Sequence, residues 1–145
     1  MEAEIIPVLR ELGIGLVPFS PLGRGFLTGQ VKRAEEYPEG DFRRGDPRYQ
    51  GANFDANVRA AESVREVARS LGVTPGQVAI AWLLHKGSDI VPIPGTKRVK
   101  YLEENVAAAQ VTLDAAQMQT LDAALAPENI AGQRYNPTTM TMIDR

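Results

Sequence analysis

Ile14-Gly15-Leu16-Val17-Pro18-Phe19 passes directly into Ser20-Pro21-Leu22-Gly23-Arg24-Gly25, an apolar run followed by a loop of glycine, proline and charge. A strand with one wet face alternates apolar and polar residues, whereas an unbroken apolar run suits a parallel strand covered on both faces. The same pattern returns about 75 residues later, where Asp89-Ile90-Val91-Pro92-Ile93 gives way to Pro94-Gly95-Thr96-Lys97-Arg98.

Helical periodicity fills the sequence around these two runs. Ile5, Val8, Leu9 and Leu12 share one face of a segment from about Glu2 to Leu12, closed by Gly13, with Pro7 tolerable only near a first turn. Val58, Ala61, Val64, Ala68 and Leu71 recur at three- and four-residue steps and stop at Gly72. Thr74-Pro75-Gly76-Gln77 pairs a Thr N-cap with Pro at N1 and Gln at N3, so a further helix runs to about Lys86. A helix follows over about Val99 to Ala109, and Asp114 with Gln117 caps a last one, Leu113 being placed to staple onto Met118. Residues 20–54 form a connection far longer than the usual ~4–6 residues, and the tail, residues 127–145, has little periodicity.

Helix, buried strand, helix, helix, buried strand, helix is the order of an α/β architecture with parallel strands. Two parallel strands have open edges and cannot cover their own faces, so the chain reads as a portion of something larger. The same open edges predict self-association of the isolated chain.

Composition narrows the function. The 145 residues carry 16 basic and 18 acidic side chains, a net charge of -2, and the two signs are interspersed, which argues against nucleic-acid binding. No cysteine and a single histidine, His85, exclude thiolate and multi-histidine metal centres. No apolar run approaches the ~20 residues that span a bilayer, and the start lacks the basic and apolar regions of a signal peptide, so a cytoplasmic location is the expectation.

Ligands of parallel α/β folds gather at the carboxyl ends of strands. After the first strand, the glycines allow close backbone approach, Ser20 offers a hydroxyl and Arg24 can reach an anion. After the second, Gly95, Thr96 and Arg98 lead into a helix whose first N–H groups favour phosphate. Either corner alone is an ordinary turn. Both together, with cations, point to a nucleotide. Gly23, Gly25 and Gly29 nearly spell a dinucleotide fingerprint, but the third glycine is one place late and no clear helix begins there, which disfavours a Rossmann fold.

Leu12 through Gly29 resembles the seventh-strand segment of the aldo-keto reductases, and Ile93-Pro94-Gly95-Thr96-Lys97-Arg98 through Leu102-Glu103-Glu104-Asn105 resembles their eighth-strand and final-helix signature. The similarity is to the plant and microbial members described as auxin-induced or perakine-reductase-like. It implies the C-terminal portion of a (β/α)8 TIM barrel that uses NADP(H) to reduce small-molecule carbonyl substrates. By the same resemblance, Ser20, Leu22 and Arg24 hold the pyrophosphate and nicotinamide-side ribose. Gly95, Thr96 and Arg98 hold the adenosine 2′-phosphate, and Glu104 and Asn105 contact adenine. Many members have Lys where this chain has Gly95, which shifts phosphate recognition toward Arg98.

The family's catalytic Asp, Tyr, Lys and His belong to earlier strands, and no residue of this chain is assigned to them. Tyr37, Tyr49, Tyr101 and Tyr135 lie outside the catalytic motif. His85, in the closing turn of a helix, reads as a structural cap, and Trp82 as core. Arg44-Gly45-Asp46 reads as solvated loop, and Arg43, Arg44 and Arg48 have Asp41 and Asp46 as local partners. Two alternatives remain open from sequence: a non-catalytic NADP-binding regulator on the same fold, like potassium-channel β subunits, or an inactive truncated product.

Overall fold

The computed structural model describes residues 2–143; the last two residues of the tail lie outside it. Among the described residues there are six α-helices, α1 (Ile5–Glu11), α2 (Gly51–Leu71), α3 (Pro75–His85), α4 (Val99–Ala107), α5 (Ala115–Ala124) and α6 (Pro137–Met140), with short 3-10 turns in the connections before α2, α5 and α6. The two apolar runs lie side by side and parallel, with bridges Leu16 to Ile90 and Phe19 to Ile93. The Leu16 amide donates to the Asp89 carbonyl at 2.8 Å, and the Val91 amide donates to the Leu16 carbonyl at 2.9 Å. Farther along, the Ile93 amide donates to the Pro18 carbonyl at 3.2 Å. Pro18 has no amide hydrogen to donate to the facing 89–93 run, so the ladder is interrupted there and pairing is confined to separate bridges; Pro92, between the donors Val91 and Ile93, turns its nitrogen away from this pair.

Helix α2 begins at Gly51, so residues 51–54 belong to this helix and not to the long connection. It ends at Gly72, whose φ of 66° is left-handed. The Val73 amide reaches back to the Ala68 carbonyl at 3.0 Å, satisfying an end carbonyl that would otherwise be orphaned. At the start of α3 the expected capping box is present: Thr74 Oγ1 accepts the Gln77 amide, and Gln77 Oε1 accepts the Thr74 amide. Asp114 and Gln117 repeat the device at α5. The main core lies between α2, α3 and α5, where Val64, Val67, Ala68, Val78, Ala81, Leu113 and Leu121 pack together, with Met118 against them.

The apolar stripe of α1 behaves otherwise. No residue of that helix is buried, and Ile5, Val8 and Leu12 are exposed. Ile14, Val17, Phe19, Val91 and Ile93 are also exposed, although Ile90 is buried. One side of the strand pair is therefore covered by this chain's helices and the other is not. Helix α1 is fastened instead by charge: Arg10 Nε donates to Asp89 Oδ2 at 2.9 Å and Arg10 Nη2 to the Lys86 carbonyl at 2.9 Å.

Hydrogen bonding to Arg10 holds the Asp89 carboxyl below its ordinary pKa. The unfolded chain thus takes up this proton more readily than the folded one. The stabilisation is complete above the ordinary carboxylate pKa of about 4 and fades as pH falls through the lower folded value. Asp89→Asn is therefore expected to melt below the parent chain at pH 7, and the two melting temperatures should converge in acid.

His85 is a neutral bridge and not a cationic cap. Its Nδ1 lies 2.8 Å from the Ala81 carbonyl and its Nε2 accepts the Leu113 amide at 3.1 Å, which requires the proton on Nδ1. Trp82 sits at the rim of the core, its indole N–H donating to Asp122 Oδ1 at 2.7 Å with the Lys86 ammonium 4.6 Å from the ring.

Candidate functional site

The bridge from Phe19 to Ile93 places the carboxyl ends of both runs next to each other, so Ser20 and Pro94 leave the sheet side by side. The two glycine-bearing corners consequently share one end of the fold, as ligand sites of parallel sheets do.

The first corner is a pair of tight turns over Gly23–Thr28, kinked at Arg24 and Gly25. Among the described residues, Ser20 and Arg24 are the non-glycine residues with positive φ, 53° and 58°, a conformation that costs an L-residue energy and must be enforced by its surroundings. Tyr49 provides part of that enforcement. Its phenol is 1% exposed and lies at 2.8 Å from the Arg24 carbonyl and 3.3 Å from that of Gly23, donating toward both. Its ring packs on Phe26 and Tyr37. Burial pushes its hydroxyl pKa up, so it stays a protonated donor. Leu22 is half-buried beside Gly76, and Ser20 is exposed.

Arg24 does not project freely. Its Nη1 donates to Asp46 Oδ2 at 2.6 Å and to the Arg134 carbonyl at 3.2 Å, and its guanidinium lies 4.8 Å from the centre of the Tyr135 ring. Asp46 thus serves Arg24 and the backbone amide of Arg48, and not the Arg48 guanidinium as the sequence suggested. Arg43 does pair with Asp41, at 2.6 Å, and the Asp41 carboxyl falls to about 2 because that guanidinium bonds to it. Arg44 binds the carbonyls of Glu35 and Tyr37.

The second corner is open. A Cβ at Gly95 would meet nothing within 4 Å. Thr96 Oγ1 accepts the Arg98 amide, and no side chain caps α4. Thr96, Lys97 and Arg98 are exposed, and among the described residues neither Lys97 nor Arg98 is in an ion pair; the Arg98 guanidinium lies 5.8 Å from the Tyr101 ring centre. Glu104 is engaged within the fold, its Oε1 accepting the Thr74 hydroxyl at 2.8 Å. The Asn105 side-chain amide nitrogen is buried with no partner.

Three residues take roles at this end of the fold that the sequence did not assign to them. Tyr49 shapes the first corner and Asp46 holds Arg24. Asn57 pins the tail, donating to the Ala131 carbonyl at 2.9 Å and accepting the Ala131 amide at 2.8 Å. Asn57 did carry a signal: it extends the buried Ala61, Val64 and Ala68 stripe of α2 by one turn, and a polar residue on such a stripe needs a partner.

Two parallel runs backed by helices, with glycine-bearing loops at their adjacent carboxyl ends, define a parallel α/β class of fold. The chain belongs to the aldo/keto reductase family, whose model matches residues 1–126. It is 47% identical over 136 residues to Aldo-keto reductase yakc [NADP(+)] of Schizosaccharomyces pombe, covering 94% of this chain and 40% of that protein. It is 42% identical over 135 residues to Probable aldo-keto reductase 1 of Glycine max, covering 93% and 39%. The chain thus spans about two fifths of the length of these curated relatives. A glycerol dehydrogenase from Gluconobacter oxydans superposes with a TM-score of 0.78 at 23% identity, over 94% of this chain and 41% of that one. A thermostable aldo-keto reductase solved with the inhibitor epalrestat gives 0.56 at 26% identity, over 83% and 33%. No helix of the described residues is long and apolar enough to cross a membrane.

Proposed function

We propose that this chain is the NADP(H)-binding, C-terminal portion of a (β/α)8 aldo-keto reductase and acts on small-molecule carbonyl substrates once the barrel is complete. The observation that carries the reading is the parallel pairing of Leu16 with Ile90 and Phe19 with Ile93, which brings both anion-receptive corners to one end. The donor set suits the cofactor. Exposed Thr96 and Arg98 at an uncapped helix start offer hydroxyl, guanidinium and amide donors to the 2′-phosphate, with open space at Gly95. The loop carrying Ser20, Leu22 and Arg24 would face the pyrophosphate, and Glu104 and Asn105 the adenine. Bound NADPH would supply a hydride to the carbonyl carbon; this chain's residues would bind and orient it. The exposed apolar side of the strand pair is the surface on which the rest of the barrel, or in its absence a second copy, would pack.

Replacing Arg98 by Ala in the complete barrel is expected to weaken NADPH binding by roughly 1.5–3 kcal/mol, the worth of a charge-assisted hydrogen bond, and to leave NADH binding nearly unchanged. Calorimetric titration with each cofactor measures this. Equal losses would place Arg98 on the shared pyrophosphate or in the scaffold.

A further inference from the structure

The tail, which lies beyond the family's matched residues, is fastened to the fold by a knot of polar groups. Asn57, 5% exposed on α2, binds both backbone groups of Ala131: its Nδ2 donates to the Ala131 carbonyl at 2.9 Å and its Oδ1 accepts the Ala131 amide at 2.8 Å. The same Nδ2 donates to the Arg48 carbonyl at 3.2 Å. One side-chain amide, both of its hydrogens in use, thus ties three segments together: the helix, the tail and the end of the long connection.

Gly132 lets the tail lie this close. Its φ of 86° is left-handed, and a Cβ there would stand 2.9 Å from Asn53 Nδ2 and 3.1 Å from the Pro47 carbonyl oxygen. Asn53 is itself committed, donating to that carbonyl at 3.0 Å. Past the glycine, the Arg134 carbonyl accepts Arg24 Nη1 at 3.2 Å, and the Arg134 guanidinium lies 5.4 Å from the centre of the Phe19 ring. The tail therefore crosses from α2 to the end of the first strand and touches the connection at Pro47, Arg48 and Arg24 on the way. Ile130 and Arg134 from the tail and Arg24 and Arg48 from the connection line one cleft of about 440 Å³.

The joint rests mainly on hydrogen bonds to main-chain groups, whereas α2, α3 and α5 share a continuous apolar core. A segment held this way opens at lower cost than the core, and it opens together with its neighbour when one side chain serves both. We propose that residues 127–143 are a strap: through Asn57 they bind the long connection to α2, tail and connection open as one unit, and ligand enters or leaves the strand-end cleft when the strap lifts. The identity of the ligand rests on the NADP(H) reading above; the strap does not.

The test compares amide hydrogen exchange, read by mass spectrometry, in the parent and in the Asn57→Leu and Gly132→Ala variants. It is run in this chain and in a barrel in which the chain replaces the matching 40% of the fission-yeast relative. Asn57→Leu removes the knot from the helix side and keeps an apolar residue on the stripe, whereas Gly132→Ala unseats the tail and leaves the sequence of α2 intact. In both variants, exchange over residues 41–50 and 130–136 should quicken together by about tenfold or more, the worth of one or two hydrogen bonds, while α3 and α5 keep the parent rates. In the completed barrel, NADPH should both associate and dissociate faster by a similar factor, because lifting precedes each step. Quickening confined to 130–136, equal quickening in α3 and α5, parent-like exchange in both variants, or no protection over 41–50 and 130–136 in either parent would overturn the strap. Parent-like NADPH rates beside a coupled quickening would overturn its gating role. Failure of the parent barrel to bind NADPH would sink the cofactor reading, and the exchange pattern would still decide the strap.

Discussion

Given NADPH and an aromatic aldehyde, this chain alone is expected to oxidise no cofactor, and to become competent when the preceding part of the fission-yeast relative's barrel is supplied. Reduction of a carbonyl needs a positioned acid, typically contributing about 10²–10⁴-fold, and a pocket that orients the carbonyl. The side chains present do not meet that need. Tyr49 is buried, its proton is committed to main-chain carbonyls, and burial raises its pKa, the opposite of what an acid requires. The Tyr37 hydroxyl accepts the Lys32 amide, and both ring nitrogens of His85 are occupied. The assay compares the chain, the complementary portion and their mixture by the loss of NADPH absorbance. Robust turnover by the chain alone would defeat the proposed division of labour. Activity confined to the mixture would place the missing acid in the other portion.

Tyr49→Ala is expected to cost about 3–5 kcal/mol of folding stability, the usual range for emptying an aromatic core position. The ring lies 4.6 Å from that of Phe26 and 5.9 Å from that of Tyr37, centre to centre, in a second small core that includes Ala34. Tyr49→Phe keeps this packing and removes the donor to the Gly23 and Arg24 carbonyls, so its cost should be smaller, about 1–3 kcal/mol. Urea unfolding of the three proteins measures both steps. The Phe variant should also release the turn: cofactor or pyrophosphate affinity should fall by more than its modest stability loss suggests, because positive φ at Arg24 is no longer held. Equal stability of the Ala variant and the parent would mean that this core does not organise the long connection.

Much of the architecture follows from local chemistry alone. Gly72 ends α2, and Thr74 with Gln77 and Asp114 with Gln117 open the next helices, because capping needs only residues three or four positions apart. The unbroken apolar runs announced parallel pairing, and the glycines marked the turns that follow each run, because backbone conformation is a property of short segments. Three things required the tertiary structure. Pro18 restricts strand pairing to isolated bridges and Pro92 does not, which depends on what each proline faces. The exposure of α1 and of one side of the strands depends on which neighbours cover them, and periodicity reports a face without its partner. The pairing of Asp46 with Arg24, 22 residues away, and of Asn57 with Ala131, 74 residues away, is a matter of long-range geometry. Proximity in sequence favoured Arg48 as the partner of Asp46; folding brought Arg24 closer and left the Arg48 guanidinium without a carboxylate, because ion pairs are chosen by distance in space.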